Sequence, residues 1–221
     1  MQRLSGKSTS YMMMDMELKV CGITTNEDIR ELITLDISRL GFIFYHQSKR
    51  YVYGKLIEQG LREVPQRIKK TGVFVNAEKA EIEQMVDMYR LDSIQLHGDE
   101  TPEFCSHLRS VTEVIKTISI KDKSSFENVK LYADACDLFL FDTHSEHFGG
   151  TGKTFNWQWL DAYNLDKPFY LSGGISLENF EEIKKIKHGK LTGIDVNSKF
   201  EISPGIKDIE KIKQLIEIMN G

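Results

Sequence analysis

Cysteine and proline are scarce: three cysteines (Cys21, Cys105 and Cys136) and four prolines occur in 221 residues. The cysteines are odd in number, far apart and never spaced C-x-x-C, which argues against a disulfide framework or a zinc ribbon and fits a reducing, cytoplasmic setting. No apolar run is long enough for a membrane span or a signal-peptide core. There is no basic surplus either. The 29 Lys and Arg against 33 Asp and Glu leave a net charge of −4, so no overall field grips nucleic acid or anionic lipid, and an anionic ligand must be held by local groups. With 16 glycines in no fixed period, 40% hydrophobic and 28% charged residues, the composition is that of a globular protein large enough for its own core.

The first 15 residues, MQRLSGKSTSYMMMD, read as a polar extension without catalytic role, and residues 16–221 as one domain. Beyond the extension, short Val/Ile/Phe/Leu-rich runs alternate with stretches that repeat apolar residues at i, i+3 and i+4. The pattern predicts strands at 18–23, 40–44, 72–76, 93–97, 112–120, 137–143, 168–173 and 191–196. Helices are expected from Asn26 (as N-cap) and at 56–69, 77–89, 102–108, 125–133, 157–162, 177–187 and 206–219. Eight strand-helix units at about 25 residues each suit a (β/α)8 TIM barrel, a closed parallel sheet that collects its ligands at the carboxyl ends of the strands. A doubly wound sheet would place a glycine fingerprint after strand 1, where this chain reads CGITTN.

Those strand ends carry Cys21, Arg50, His97, Asp142, Gly173-Gly174, Asp195 and Asn197-Ser198. Cys21 and Asp142 would face one another across the barrel mouth, an arrangement suited to a general base and a general acid; taken singly, the thiol also fits a buried packing role and the carboxylate a loop or cap role. A thiolate would need its pKa lowered, as a nearby helix N-terminus can do. Gly173-Gly174, ahead of an expected helix, reads as an anion-binding turn complemented by the turn after strand 8, although a glycine pair also serves chain reversal. The run HSEHFGGTGKTFNW after strand 6 imitates a P-loop, but His147 stands where the first glycine belongs. His144 and His147 lack a third ligand, so no metal is expected.

The segments KVCGIT (19–24), GFIFYHQSKRYV (41–52), GVFVN (72–76), QLHGDE (95–100), FDT…GGTGKTFNW (141–157), LSGGISLEN (171–179) and GIDVNSKFEISPGIKD (193–208) together resemble the phosphoribosylanthranilate isomerase family. The resemblance covers about residues 17–220 and implies an Amadori rearrangement of N-(5-phosphoribosyl)anthranilate in tryptophan biosynthesis, without metal or organic cofactor. It implies Asp142 as the general acid, Cys21 as the general base and Arg50 as the holder of the anthranilate carboxylate. His97 and Asp195 would line the substrate, and Gly173, Gly174, Asn197 and Ser198 would hold the phosphate. The partner would be a small phosphosugar, not nucleic acid or membrane, and the protein a monomer or homodimer.

This chain departs from the family's usual motifs at Ser48-Lys49-Arg50, at Phe155-Asn156-Trp157 and at Asp195–Glu201, where Lys199 replaces a usual glycine. If that backbone position needs φ > 0, Lys199 is strained. An indole-glycerol-phosphate synthase would need lysines at strand ends, and a phosphoribosyl-imidazole isomerase would need a second glycine pair in the first half. A barrel degenerated into a binding partner would be favoured by loss of Cys21 or Asp142, and both are present.

Overall fold

The computed structural model describes residues 16–52, 54, 58–144 and 154–221. The 1–15 extension and the 145–153 run, including His147, lie outside the described residues. Eight parallel strands close into a barrel in sequence order: β1 (Glu17–Cys21), β2 (Arg39–Ile43), β3 (Lys69–Phe74), β4 (Ser93–Leu96), β5 (Glu113–Ile120), β6 (Leu138–Thr143), β7 (Phe169–Leu171) and β8 (Leu191–Val196). The seam is sealed by β1 against β8, with Lys19 beside Asp195 and Val20 beside Val196.

Strand side chains alternate between the two faces, and both faces are buried, which is why the runs read as nearly continuous apolar segments. In β6, Phe139 and Phe141 point outward into a layer of aromatic rings with Phe126, Tyr163 and Phe169. Leu138 and Leu140 point inward and meet Ile115 and Tyr170 in a small cluster inside the barrel. The larger core lies between strands and helices, each fully buried Leu, Ile or Phe there being worth about 1.5–3 kcal/mol. The amino-terminal end of the barrel is closed by charge: Arg39 donates to both Glu113 oxygens at 3.1 and 2.9 Å and to the Tyr170 hydroxyl at 3.0 Å.

The helices are α1 (Asn26–Leu32), α2 (Glu58–Glu63), α3 (Lys79–Tyr89), α4 (Pro102–Leu108), α5 (Phe180–Lys184) and α6 (Ile209–Asn220). Several differ from the sequence expectation. The N-cap of α1 is Thr25, whose hydroxyl accepts from Asp28 N at 3.1 Å, while Asn26 is the first helical residue. The described part of α2 ends at Glu63, short of Pro65, and Lys69 already belongs to β3. Residues 125–133 and 157–162 do not form α-helices. Lys123–Phe126, Asn128–Tyr132 and Trp157–Ala162 are 3₁₀ turns, the first started by a capping box at Asp122-Ser125 and the last by the Asn156 side chain. The last helix begins at Ile209 because Asp208 caps it through Lys211 N; the preceding Ile206–Lys207 is a strand, β10, paired antiparallel with β9 (Glu201–Ser203). Among the described residues no helix is long and apolar enough to cross a membrane.

Candidate active site

The carboxyl ends of the strands surround a cleft. Cys21, Arg50, His97, Asp142, Gly173, Gly174, Asp195, Asn197 and Ser198 all line it, so every site residue expected from the sequence is brought to one place. Cys21 ends β1 facing the interior, 4% exposed; Gly41 on β2 leaves it room, since a Cβ there would lie 2.7 Å from Sγ. Asp142 is the sixth strand's inward residue after Leu138 and Leu140, its Oδ1 taking the N–H of Thr143 at 2.8 Å. His97 follows β4, and its Nε2 stands 3.4 Å from Asp142 Oδ2. Asp142, Ser172 and Asp195 lie side by side at the ends of β6, β7 and β8, with Ser172 Oγ donating to Asp195 Oδ2 at 3.3 Å.

On one flank lies the turn after β7. Gly173 and Gly174 adopt φ of +88° and +67°, which only glycine takes without strain. The helix expected directly behind this pair is displaced: α5 starts at Phe180, and Asn179 shapes the intervening loop by accepting from Ser176 N and donating to Gly174 O, both at 2.9 Å. The facing turn after β8 is a single 3₁₀ turn, Ser198–Phe200. Among described non-glycine residues, positive φ occurs only at Asn76 and Arg90, so Lys199 sits without the strain anticipated for it, lining the cleft beside Ser198. Arg50, in the loop after β2, lines the same cleft with a side chain 18% exposed, next to the turn after β8: a Cβ on Gly22 would lie 2.6 Å from Arg50 Cδ and 2.7 Å from Asn197 Oδ1. Thus one cleft holds a thiol, a carboxylate, a guanidinium and two anion-suited turns.

Residues 18–218 match the family model for N-(5'phosphoribosyl)anthranilate (PRA) isomerase. The chain belongs to the phosphoribosylanthranilate isomerase family. It is 45% identical over 204 residues to the N-(5'-phosphoribosyl)anthranilate isomerase of Parabacteroides distasonis, covering 91% of this chain and 92% of that protein. The Phocaeicola vulgatus enzyme of the same name is 40% identical over 210 residues, covering 91% of this chain and all of its own length, 100%. The crystal structure of phosphoribosyl anthranilate isomerase from Thermotoga maritima superposes with a TM-score of 0.83 at 31% identity, covering 93% and 99% of the two chains. A phosphoribosyl anthranilate isomerase in complex with reduced 1-(o-carboxyphenylamino)-1-deoxyribulose 5-phosphate gives a TM-score of 0.80 at 29% identity, covering 93% and 99%.

Beyond the residues expected from sequence, this family member places two buried lysines at its site. Lys19, two residues before Cys21 and on the same interior face of β1, is 0% exposed and paired with Asp195 Oδ1 at 2.8 Å. Its position was readable: in a strand, residues i and i+2 share a face. Lys207 on β10 and its partner Glu201 on β9 were not, because residues 206–219 read as one helix. Burial pushes the Cys21 thiol up from its usual pKa; Lys19 and, more weakly, Lys207 pull it back, while Asp195 opposes them. Two ammonium groups thus favour the thiolate, but burial outweighs them and the thiol stays above its ordinary range. Burial also raises Asp195, against the pull of Lys19. Burial alone would raise Glu201, but hydrogen bonds from Arg50 and the charge of Lys207 hold it below the ordinary carboxylate range. Among the described residues no group of three or more His, Cys, Asp or Glu side chains has the arrangement to hold a metal.

Proposed function

We propose that Cys21 and Asp142 are the general base and general acid with which this phosphoribosylanthranilate isomerase family member converts N-(5'-phosphoribosyl)anthranilate to 1-(2-carboxyphenylamino)-1-deoxyribulose 5-phosphate. The observation that carries this reading is that Cys21 and Asp142 line one cleft together with Arg50 and with the Gly173-Gly174 and Asn197-Ser198 turns. A substrate that carries both a carboxylate and a phosphate finds a partner for each among these groups.

Asp142, protonated, gives its proton to the furanose ring oxygen as the C1'–O bond breaks, and the anilino nitrogen lone pair forms the iminium. The Cys21 thiolate then takes the C2' proton, and the released pair flows to the nitrogen, leaving an enolamine that tautomerises to the ketone. The iminium is an internal electron sink, so the proton can be removed by side chains alone. Arg50 suits the carboxylate with its planar fork, and the two turns suit the phosphate through backbone amides. His97 and Asp195 complete the lining of the cleft.

Purified Cys21→Ala and Asp142→Asn proteins assayed with the phosphoribosylanthranilate substrate test the assignment. Each should lose at least about 10²-fold in kcat with an unchanged circular dichroism spectrum, since a positioned proton-transfer group contributes about 10²–10⁴-fold. Full activity in either variant refutes it.

A further inference from the structure

The hairpin of β9 and β10 stands directly behind the cleft, and Lys207 at its end is 0% exposed. Its ammonium donates in two directions: to Asn197 Oδ1 at 3.0 Å and to Glu201 Oε1 at 2.8 Å. The Glu201 side chain is itself 3% exposed and accepts from Arg50 Nε at 2.9 Å, from Arg50 Nη2 at 2.5 Å and from Gly205 N at 3.0 Å. The main chain at Lys207 is fixed as well, its N–H donating to Asp28 Oδ2 at 3.2 Å. The two arms meet again at Gly22, next to the thiol-bearing Cys21. A Cβ there would lie 2.6 Å from Arg50 Cδ and 2.7 Å from Asn197 Oδ1.

Burying an ammonium is unfavourable unless its acceptors are in place, and an apolar residue would pack this hairpin without that cost. What the charge provides is a junction. Glu201 takes the Nε–Nη2 edge of the guanidinium, so an incoming carboxylate meets the Nη1 edge, in an orientation set by the hairpin. Asn197 opens the turn that faces Gly173-Gly174.

We propose that Lys207 is a positioning residue coupling two anion-holding elements of the substrate site, Arg50 through Glu201 and the turn after β8 through Asn197. This rests on the reading of Arg50 and Asn197 given above. Lys207 touches no substrate; it makes the carboxylate end and the phosphate end parts of one rigid frame, so that losing its charge loosens both.

The experiment uses the two half-ligands separately, anthranilate and inorganic phosphate, as competitive inhibitors of the isomerase reaction. Arg50→Ala should weaken anthranilate alone, and Asn197→Ala phosphate alone. Lys207→Met, nearly isosteric, leaves Glu201 still paired with Arg50 and should weaken both inhibitors by about tenfold. In the Arg50→Ala background its effect on anthranilate should shrink to less than about twofold while its effect on phosphate persists, which a merely destabilised protein would not reproduce. Glu201→Gln, a second variant that keeps the Lys207–Asn197 contact, should weaken anthranilate and leave phosphate within about twofold. The proposal is overturned if Lys207→Met weakens only one inhibitor or neither, if its effect adds in full to that of Arg50→Ala, or if Glu201→Gln weakens both equally. Should Arg50→Ala leave anthranilate inhibition unchanged, the carboxylate assignment itself fails, an outcome read from the single variant independently of Lys207.

Discussion

His97 stands between Gln95 and Asp142: its Nδ1 is 3.1 Å from Gln95 Nε2 and its Nε2 is 3.4 Å from Asp142 Oδ2. The Gln95 amide thus holds the imidazole from the side away from Asp142. The same amide nitrogen reaches Thr117 Oγ1 at 3.1 Å, while Gln95 Oε1 is buried at the cleft without a hydrogen-bond partner. His97 is thereby placed to aim the Asp142 carboxylate. His97→Ala should lower kcat by about tenfold with KM changed less than about threefold, well short of the loss in Asp142→Asn. An equal loss in the two variants would place His97 in the proton transfer itself.

Lys19 is the strongest of the charges that favour the Cys21 thiolate; Asp195 opposes it and Lys207 assists. Its removal should therefore raise the pH at which Cys21 becomes reactive. In Lys19→Met, the pH midpoint for iodoacetamide alkylation of Cys21, followed by mass spectrometry to separate it from Cys105 and Cys136, should move up by at least about one unit. An unchanged midpoint would assign the effect to Lys207.

Lys199 lines the cleft on the phosphate side. An ammonium in direct contact with a phosphate forms a charge-assisted bond of about 1.5–3 kcal/mol, and salt screens the exposed part of it. Lys199→Gly should raise KM at low salt and show a weaker dependence of KM on salt than the parent protein. Unchanged or tighter binding would show that the lysine only tolerates its position.

Gly173 has no room for a side chain. A Cβ there would lie 2.7 Å from Thr143 N and 2.8 Å from Asp142 Oδ1, at a φ of +88°. Gly173→Ala should cost about 1–3 kcal/mol of stability, measured by denaturant unfolding, and lower kcat more than it raises KM, because the added methyl displaces the acid. Retention of full kcat would mean that the turn shifts away from Asp142.

The barrel was legible because its strands are buried on both faces, and runs such as LFLFDT and LGFIF have few other uses in a chain that alternates with amphipathic stretches. The cleft residues were legible because a closed parallel sheet sends the residue after each run to one rim, as it does for Asp142, Ser172 and Asp195. The 3₁₀ turns at Lys123–Phe126 and Asn128–Tyr132 were not, since their apolar spacing also fits an α-helix and only tertiary packing sets their length. Nor was the Arg50–Glu201–Lys207 chain. It joins residues 151 positions apart through a hairpin whose Ile206 falls in the same apolar period as Ile209 of the helix that follows.

The Lys19–Asp195 pair joins residues 176 positions apart. During synthesis the ammonium emerges near the start of the barrel and its counter-charge near the end, so for most of translation the strand bearing the thiol has no place to hide a charge. Early units can gather their helices, but β1 cannot settle against a seam whose other side does not yet exist. The cleft therefore cannot be complete before β8 and the hairpin are made, since Asp195, Asn197 and Glu201 all lie in that last stretch of chain.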